Sequence, residues 1–167
     1  MNCKLILPAA RRLACWGWMI LVVPPSIAQV KSQPAFHLRA LQAAAGQPSV
    51  YELSFTAAVP LTPAAEFVLE FPAGFDLSKA QIAGSEQLPG GFTVASERQK
   101  LRLTRAGRGP SVAAGTAITL RVSAIVNPSD LAAVPPVRLQ IKPQASAAFV
   151  DLAPQAVAFE RAPDTAN

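Results

Sequence analysis

Apolar and polar residues alternate with a period of two along most of the chain from Phe36 onwards. Successive side chains of a β-strand point to opposite faces of a sheet, so this pattern predicts strands with one buried and one solvated face. No segment carries a convincing 3.6-residue helical period of any length. The clearest runs are Tyr51, Leu53 and Phe55; Phe67, Leu69 and Phe71; Leu101 and Leu103; Ile118, Leu120, Val122 and Ala124; Val137, Leu139 and Ile141; and Val157 and Phe159.

Proline positions mark where these strands end. Ten prolines lie between residues 60 and 154, and all of them fall outside the alternating runs, as expected for a residue that cannot donate to a ladder. Short strands about ten residues apart, with turn signals between them, are typical of a β-sandwich. We therefore predict an all-β fold, a single antiparallel sandwich of about seven to nine strands, with a small closed barrel as the alternative.

The N-terminal 28 residues have the pattern of a secretory signal peptide. Lys4, Arg11 and Arg12 precede an uncharged run at 13–23, which is shorter than the roughly 20 residues that a membrane-spanning helix needs. Two prolines and a small-residue exit follow, so we expect cleavage between Ala28 and Gln29 after export through the Sec route. An uncleaved anchor, a lipoprotein modified at Cys15 and twin-arginine export are the alternatives.

Cleavage would change the composition of the working chain. It would leave 139 residues (167 − 28), enough for one domain with a sizeable core. Both cysteines would be removed, and the net charge would fall to +2 (12 basic against 10 acidic residues), which does not favour nucleic acid as a partner. We expect a flexible leader at 29–35, the sandwich at 36–160 and a polar tail at 161–167.

Three short motifs occur in order along the chain. They are Phe71-Pro72-Ala73-Gly74-Phe75, then Ala114-Gly115-Thr116-Ala117-Ile118-Thr119-Leu120, and then Ile125-Val126-Asn127-Pro128. In this order the chain resembles the immunoglobulin-like β-sandwich modules of bacterial and archaeal exported and surface proteins, over roughly residues 36 to 142. Such modules usually occur in tandem, and we find one copy. The resemblance implies the fold and implies almost nothing about the activity.

Basic residues cluster in one segment after residue 97. Arg98, Lys100 and Arg102 alternate, so a strand would place them on one face, and Arg105 and Arg108 follow. We interpret these five residues as a possible basic stripe for an anionic partner. The alternative is a solvated strand face whose charges prevent aggregation.

The sequence predicts no catalytic, cofactor or metal site. His37 is the single histidine and has no evident partner in the sequence. We predict that it is an exposed residue of a strand. Asp76, Asp130 and Asp151 fall near predicted loops, where carboxylates can bind Ca²⁺, but no Asp-x-Asp spacing occurs. We therefore interpret these aspartates as turn-forming residues.

These observations favour an exported, non-enzymatic binding module located in the periplasm or outside the cell. Its expected partner is another exported or surface protein or an acidic glycan, with no nucleic acid and no stable membrane span in the mature chain. The strand around Val157 and Phe159 is a candidate edge for pairing with a partner strand. A structural subunit of a surface or secretion assembly is the alternative, and a small hydrolase is the third possibility.

Overall fold

A computed structural model describes residues 34–160, which form ten β-strands and no helix. The predicted signal peptide, its Ala28–Gln29 cleavage site, most of the leader and the tail at 161–167 lie outside these residues. The strands are β1 (Phe36–Ala40), β2 (Pro48–Thr56), β3 (Glu66–Glu70), β4 (Gln81–Gly84), β5 (Phe92–Glu97), β6 (Lys100–Arg105), β7 (Ala117–Val126), β8 (Arg138–Lys142), β9 (Val150–Asp151) and β10 (Val157–Phe159).

The strands form two five-stranded sheets. The first sheet has the order β10-β1-β2-β7-β4 and the second sheet β5-β6-β3-β8-β9. The predicted all-β sandwich is confirmed, with two differences. The structure has ten strands where seven to nine were predicted, and the last two, β9 and β10, are only two and three residues long. In addition, β10 pairs with β1 in parallel. As predicted, the strand of Val157 and Phe159 lies at a sheet edge.

The core lies between the sheets and is built from the inward positions of the alternating runs. Leu53 and Leu120 from the first sheet are 1% and 0% exposed, and Leu101 and Leu139 from the second are both fully buried. Burying a side chain of this size contributes roughly 1.5–3 kcal/mol. The alternation thus fixes which face of each strand is left for solvent and for partners. Within residues 34–160, no helix is long and apolar enough to cross a membrane.

Two of the motifs meet at one end of the sandwich. Phe71 and Phe75 each pack edge-on or tilted against Tyr51, with ring centroids 5.8 and 6.1 Å away. The Tyr51 hydroxyl donates a hydrogen bond to the Asn127 side chain, and burial raises the pKa of Tyr51. Gly74 has a positive φ of 102°, and a Cβ there would lie 3.1 Å from Pro128 Cβ. The turn residues of these two motifs are therefore packing residues.

One predicted alternation is wrong. The sequence pattern puts Ala124 on the inward face of β7, but the strand has a register shift opposite Ser49 and Tyr51. Ala124 has a φ of +63°, and Ile125 is the fully buried residue instead. An extra residue in a β-bulge reverses the alternation beyond it, because the side-chain period is two.

Candidate functional site

Three charged residues form a row across the outer face of the first sheet. Arg39 on β1 lies opposite Glu52 on β2, and Glu52 lies opposite Arg121 on β7. All three occupy outward positions of alternating strands, so the register alone brings them together. We call these three residues the Glu52 row.

The carboxylate of Glu52 is shared by the two arginines. Arg39 Nε donates to Oε1 at 2.9 Å, and Arg121 Nε donates to Oε2 at 2.9 Å. Arg39 also pairs with Glu160, which follows β10. The Glu52 side chain is only 9% exposed, whereas the Arg39 and Arg121 side chains are 45% and 56% exposed. The row therefore has a buried anion between two half-exposed cations.

Opposing effects set the protonation of Glu52. Burial alone would raise the pKa of its carboxyl, but hydrogen bonds from Arg121 and Arg39, with the charges of both, outweigh burial and lower the pKa. Contact with Glu52 also raises the pKa of Arg39, and the hydrogen bond between the two side chains is the largest cause. Glu52 is consequently ionised at neutral pH, and both of its oxygens accept hydrogen bonds.

A groove of about 670 Å³ lies beside the row. Its far wall is the segment that follows β4, and this wall is fixed to β7 because the Thr119 amide donates to Gln87 Oε1 at 3.1 Å. We call it the Glu52 groove. Its lining residues are Arg39, Glu52, Gly84, Ser85, Glu86, Gln87, Thr119 and Arg121.

Arg121 is the exposed cation of this groove. Its Nε is bound to Glu52, but Nη1 and Nη2 make no hydrogen bond with any residue of the described part of the chain. The residue opposite Arg121 on β4 is Gly84, which has no side chain to cover the guanidinium, and a Cβ built on Gly84 would have no atom within 4 Å. A planar pair of N–H donors is therefore presented to the groove.

The structure divides the predicted basic stripe. Lys100 and Arg102 lie on the outer face of the second sheet, Arg98 occupies the β5–β6 turn, and Arg108 is exposed in the following loop. Arg102 forms an ion pair with Glu66, and Lys100 lies opposite Glu70 in the ladder. These two cations thus face acidic neighbours. Binding of an anionic partner by the four exposed residues stays a prediction.

Arg105 does not belong to the stripe, which corrects the sequence-based interpretation. It shares the inward side of β6 with Leu101 and Leu103 and is only 2% exposed. Its guanidinium donates to four carbonyl oxygens, and burial lowers its pKa. The acceptors belong to Thr62, Pro89 and Pro110 at 2.9–3.2 Å and to Leu61 at 3.4 Å. Arg105 therefore connects three loops and is inaccessible to a partner.

The remaining candidates have structural surroundings. His37 is exposed on β1, as predicted. Asp76 and Asp130 each accept a hydrogen bond from the backbone amide two residues ahead, at 2.9 and 2.8 Å, which is the geometry of an Asx-turn. Asp151 lies on β9 and accepts from Gln140 Nε2 at 2.7 Å. Residues 34–160 contain no group of three or more metal-binding side chains.

The Glu52 row was not predicted from the sequence. Each of its residues is a single charged residue in an alternating strand, which is an ordinary feature of a solvated face. A usable signal was the presence of opposite charges on outward positions of three strands. Turning that signal into a contact requires the order β1-β2-β7 and the register, neither of which is local information.

No protein-family model matches the sequence, and no curated protein was found to match it. Among solved structures, the chain is similar to an uncharacterized protein from Nocardia farcinica with an immunoglobulin-like fold. That similarity has 18% identity and a TM-score of 0.50, and it covers 70% of this chain and 82% of that chain.

The chain is also similar to part of a GH20 exo-β-N-acetylglucosaminidase from Vibrio harveyi, at 11% identity and a TM-score of 0.50. This similarity covers 77% of this chain but only 19% of the enzyme, so the chain spans about a fifth of the enzyme's length. Identities this low show the fold alone, which is an immunoglobulin-like β-sandwich. The motif pattern behind the sequence resemblance stays a prediction.

Proposed function

We propose that the protein is an exported, non-enzymatic binding module that holds another protein or a surface glycan in the Glu52 groove. The observation that carries the proposal is the Glu52 row, in which a buried carboxylate orients Arg121 while both of its terminal nitrogens make no hydrogen bond within residues 34–160. A side chain held by a buried partner loses less conformational freedom when it binds a ligand. Export is supported by the N-terminal sequence pattern.

The state of Glu52 supports binding over hydrolysis. A general base or nucleophile needs a carboxylate oxygen within reach of the reacting atom. Both oxygens of Glu52 already accept hydrogen bonds from arginines, and its pKa is lowered. A carboxylate in this state is a weak base, and its role in the groove is to position the arginines.

The test is a binding screen with mapping of the binding surface. The ¹⁵N-labelled protein is titrated with panels of neutral and acidic oligosaccharides and of short peptides, and its amide signals are followed. We expect at least one ligand to shift signals of residues 84–87, 119 and 121. The same ligand should bind more weakly to Arg121→Gln and unchanged to Arg138→Gln, an exposed arginine on the outer face of the second sheet. Ligands that shift only signals elsewhere would refute the proposal.

A structural subunit is the second candidate function, and one observation favours it. Val59, Phe149 and Val150 are the large apolar residues that are exposed within residues 34–160, at 40%, 39% and 38%. Val59 and Val150 line the same small apolar cleft beside β9, and exposed apolar patches often mark contacts between proteins. Light scattering over a concentration series checks this: self-association that Val150→Asp abolishes would support a subunit role.

A further inference from the structure

The chemistry of the Glu52 groove is more specific than a general binding site. We propose that its ligand is an extended protein segment with an isolated acidic side chain, whose carboxylate is bound end-on by Arg121 Nη1 and Nη2. This inference rests on the proposed function, because it names the ligand class of the same groove. The argument uses the donors of the groove, its charges and its lining.

The donors of Arg121 fit a carboxylate. A guanidinium presents its N–H groups in one plane, and two parallel N–H groups match the two oxygens of a carboxylate. Among the described residues, Arg121 donates only through Nε, which lies 2.9 Å from Glu52 Oε2. Since Gly84 lies opposite Arg121 on β4 and has no side chain, a ligand side chain can approach the two terminal nitrogens directly.

The remaining charges of the groove restrict the ligand to one acidic group at a time. Arg39 is already paired with Glu52 and Glu160, so Arg121 is the cation left for the ligand. Glu86 is exposed on the opposite wall, and it would repel a second carboxylate while accepting a neighbouring ammonium group. The preferred segment therefore has one acidic residue with a lysine nearby.

The lining favours a peptide over a sugar. The lining residues of the groove include no aromatic ring, and aromatic rings supply most of the apolar contact area in compact ligand sites. The groove is lined by polar and charged side chains, and a peptide backbone can exchange hydrogen bonds with Thr119 and Gln87. An acidic oligosaccharide would find no aromatic ring to pack its sugar rings against, and would have to bind through its carboxylate and hydroxyl groups.

The test compares three soluble probes with the whole protein. The first is an acetylated, amidated peptide with one glutamate and flanking lysines, the second has glutamine in place of the glutamate, and the third is tri-galacturonate. Affinities are measured by isothermal titration at low and at physiological salt, because exposed ion pairs weaken with ionic strength. We expect the glutamate peptide to bind at least about tenfold more tightly than the glutamine peptide.

Two variants locate the contact. Arg121→Gln should weaken binding of the glutamate peptide about tenfold, since it removes the charge-assisted pair. Glu86→Gln should weaken binding of this lysine-flanked peptide about twofold, because it removes the carboxylate that accepts a flanking ammonium group. Glu86 makes no ion pair in the described residues, so this variant keeps the test valid even if Arg121→Gln is less stable. Arg138→Gln should bind as the wild type does.

Each outcome decides one claim. Equal affinity for the glutamate and glutamine peptides overturns this inference, and so does binding that Arg121→Gln leaves unchanged. Tri-galacturonate bound in the groove without the peptide would assign a glycan ligand, which refutes the inference while the proposed function stands. Failure of every panel ligand and every probe to shift groove signals would refute both.

Discussion

On the outer face of the second sheet, charges lie opposite one another in pairs, whereas on the first sheet two arginines share one buried carboxylate. In the second sheet, Lys100 faces Glu70 and Arg102 forms an ion pair with Glu66. Exposed pairs of this kind contribute roughly 0–1 kcal/mol each. The charges of this face therefore largely neutralise one another.

The first sheet differs in how deeply its anion is buried and in how its cations are used. Glu52 is 9% exposed and has an arginine on each side. Both oxygens of Glu52 accept hydrogen bonds, and within residues 34–160 Arg121 donates only through Nε. The burial and the partners of a charge thus decide how many of its hydrogen-bonding groups are used within the fold.

The largest expected effect comes from Arg105, which extends the comparison to an arginine with no carboxylate partner. Arg105→Met should destabilise the protein by about 3 kcal/mol, because the carbonyls of Thr62, Pro89 and Pro110 lose their donor. Arg102→Met on the outward side of the same strand is the matched control, expected within about 0.5 kcal/mol of wild type. Urea unfolding measures both, and similar losses would show that Arg105 is not a structural residue.

The second effect concerns Glu52 and Glu66, one carboxylate on the outer face of each sheet. Glu52→Gln should destabilise by about 2 kcal/mol, because two arginines lose their shared anion. Glu66→Gln, which removes the partner of Arg102 alone, should cost less than about 1 kcal/mol. Chemical denaturation of both variants at the same ionic strength checks this. A Glu66 variant as unstable as the Glu52 variant would remove the difference between the faces.

These two predictions also show what the sequence could and could not establish. Alternation predicted the sandwich, the strand at Val157 and Phe159 and the outward positions of Arg102 and Arg121. The same alternation places Arg105 with Leu101 and Leu103 on the inward side, so that signal was available, and only the general preference of arginine for solvent obscured it.

The Glu52 row and the bulge at Ala124 are different cases. The row depends on which strands become neighbours and in which register, and contacts between strands far apart in sequence are not encoded in local patterns. Ala124 gives no local sign of a bulge, because the residue at its positive φ is not glycine. Such positions become visible only when packing between the sheets is known.

A third prediction uses pH to isolate the Glu52 row. The folded-state pKa of Glu52 is lowered, so its contribution to stability is present above the unfolded pKa of about 4.3 and is lost as pH falls through the folded value. The stability difference between wild type and Glu52→Gln should therefore be full at pH 7 and decrease below about pH 4. The pKa of Asp76 is also lowered, mainly by a backbone hydrogen bond from Ser78. Because Asp76 is present in both proteins, its contribution to stability cancels in this difference.

Thermal or urea unfolding at pH 7, 5, 4 and 3 provides the measurement. A stability difference that stays constant over this range would mean that the Glu52 carboxylate is not stabilised by its arginines. The measurement is made on wild type and Glu52→Gln at the same ionic strength, so that screening of the ion pairs is equal at each pH.

The smallest expected effect is at Arg98, a residue of the predicted basic stripe whose backbone conformation favours glycine. Arg98 has a φ of +53° in the two-residue turn between β5 and β6, a conformation that costs a side chain about 1 kcal/mol or more. Arg98→Gly should therefore stabilise the protein by up to about 0.5 kcal/mol, the relief being partly offset by the flexibility of glycine in the unfolded chain. Gln99→Gly relieves no positive φ and should destabilise by about 0.5–1 kcal/mol. Thermal unfolding of the pair measures this, and a destabilised Arg98→Gly would mean that the arginine side chain contributes contacts that outweigh its backbone strain.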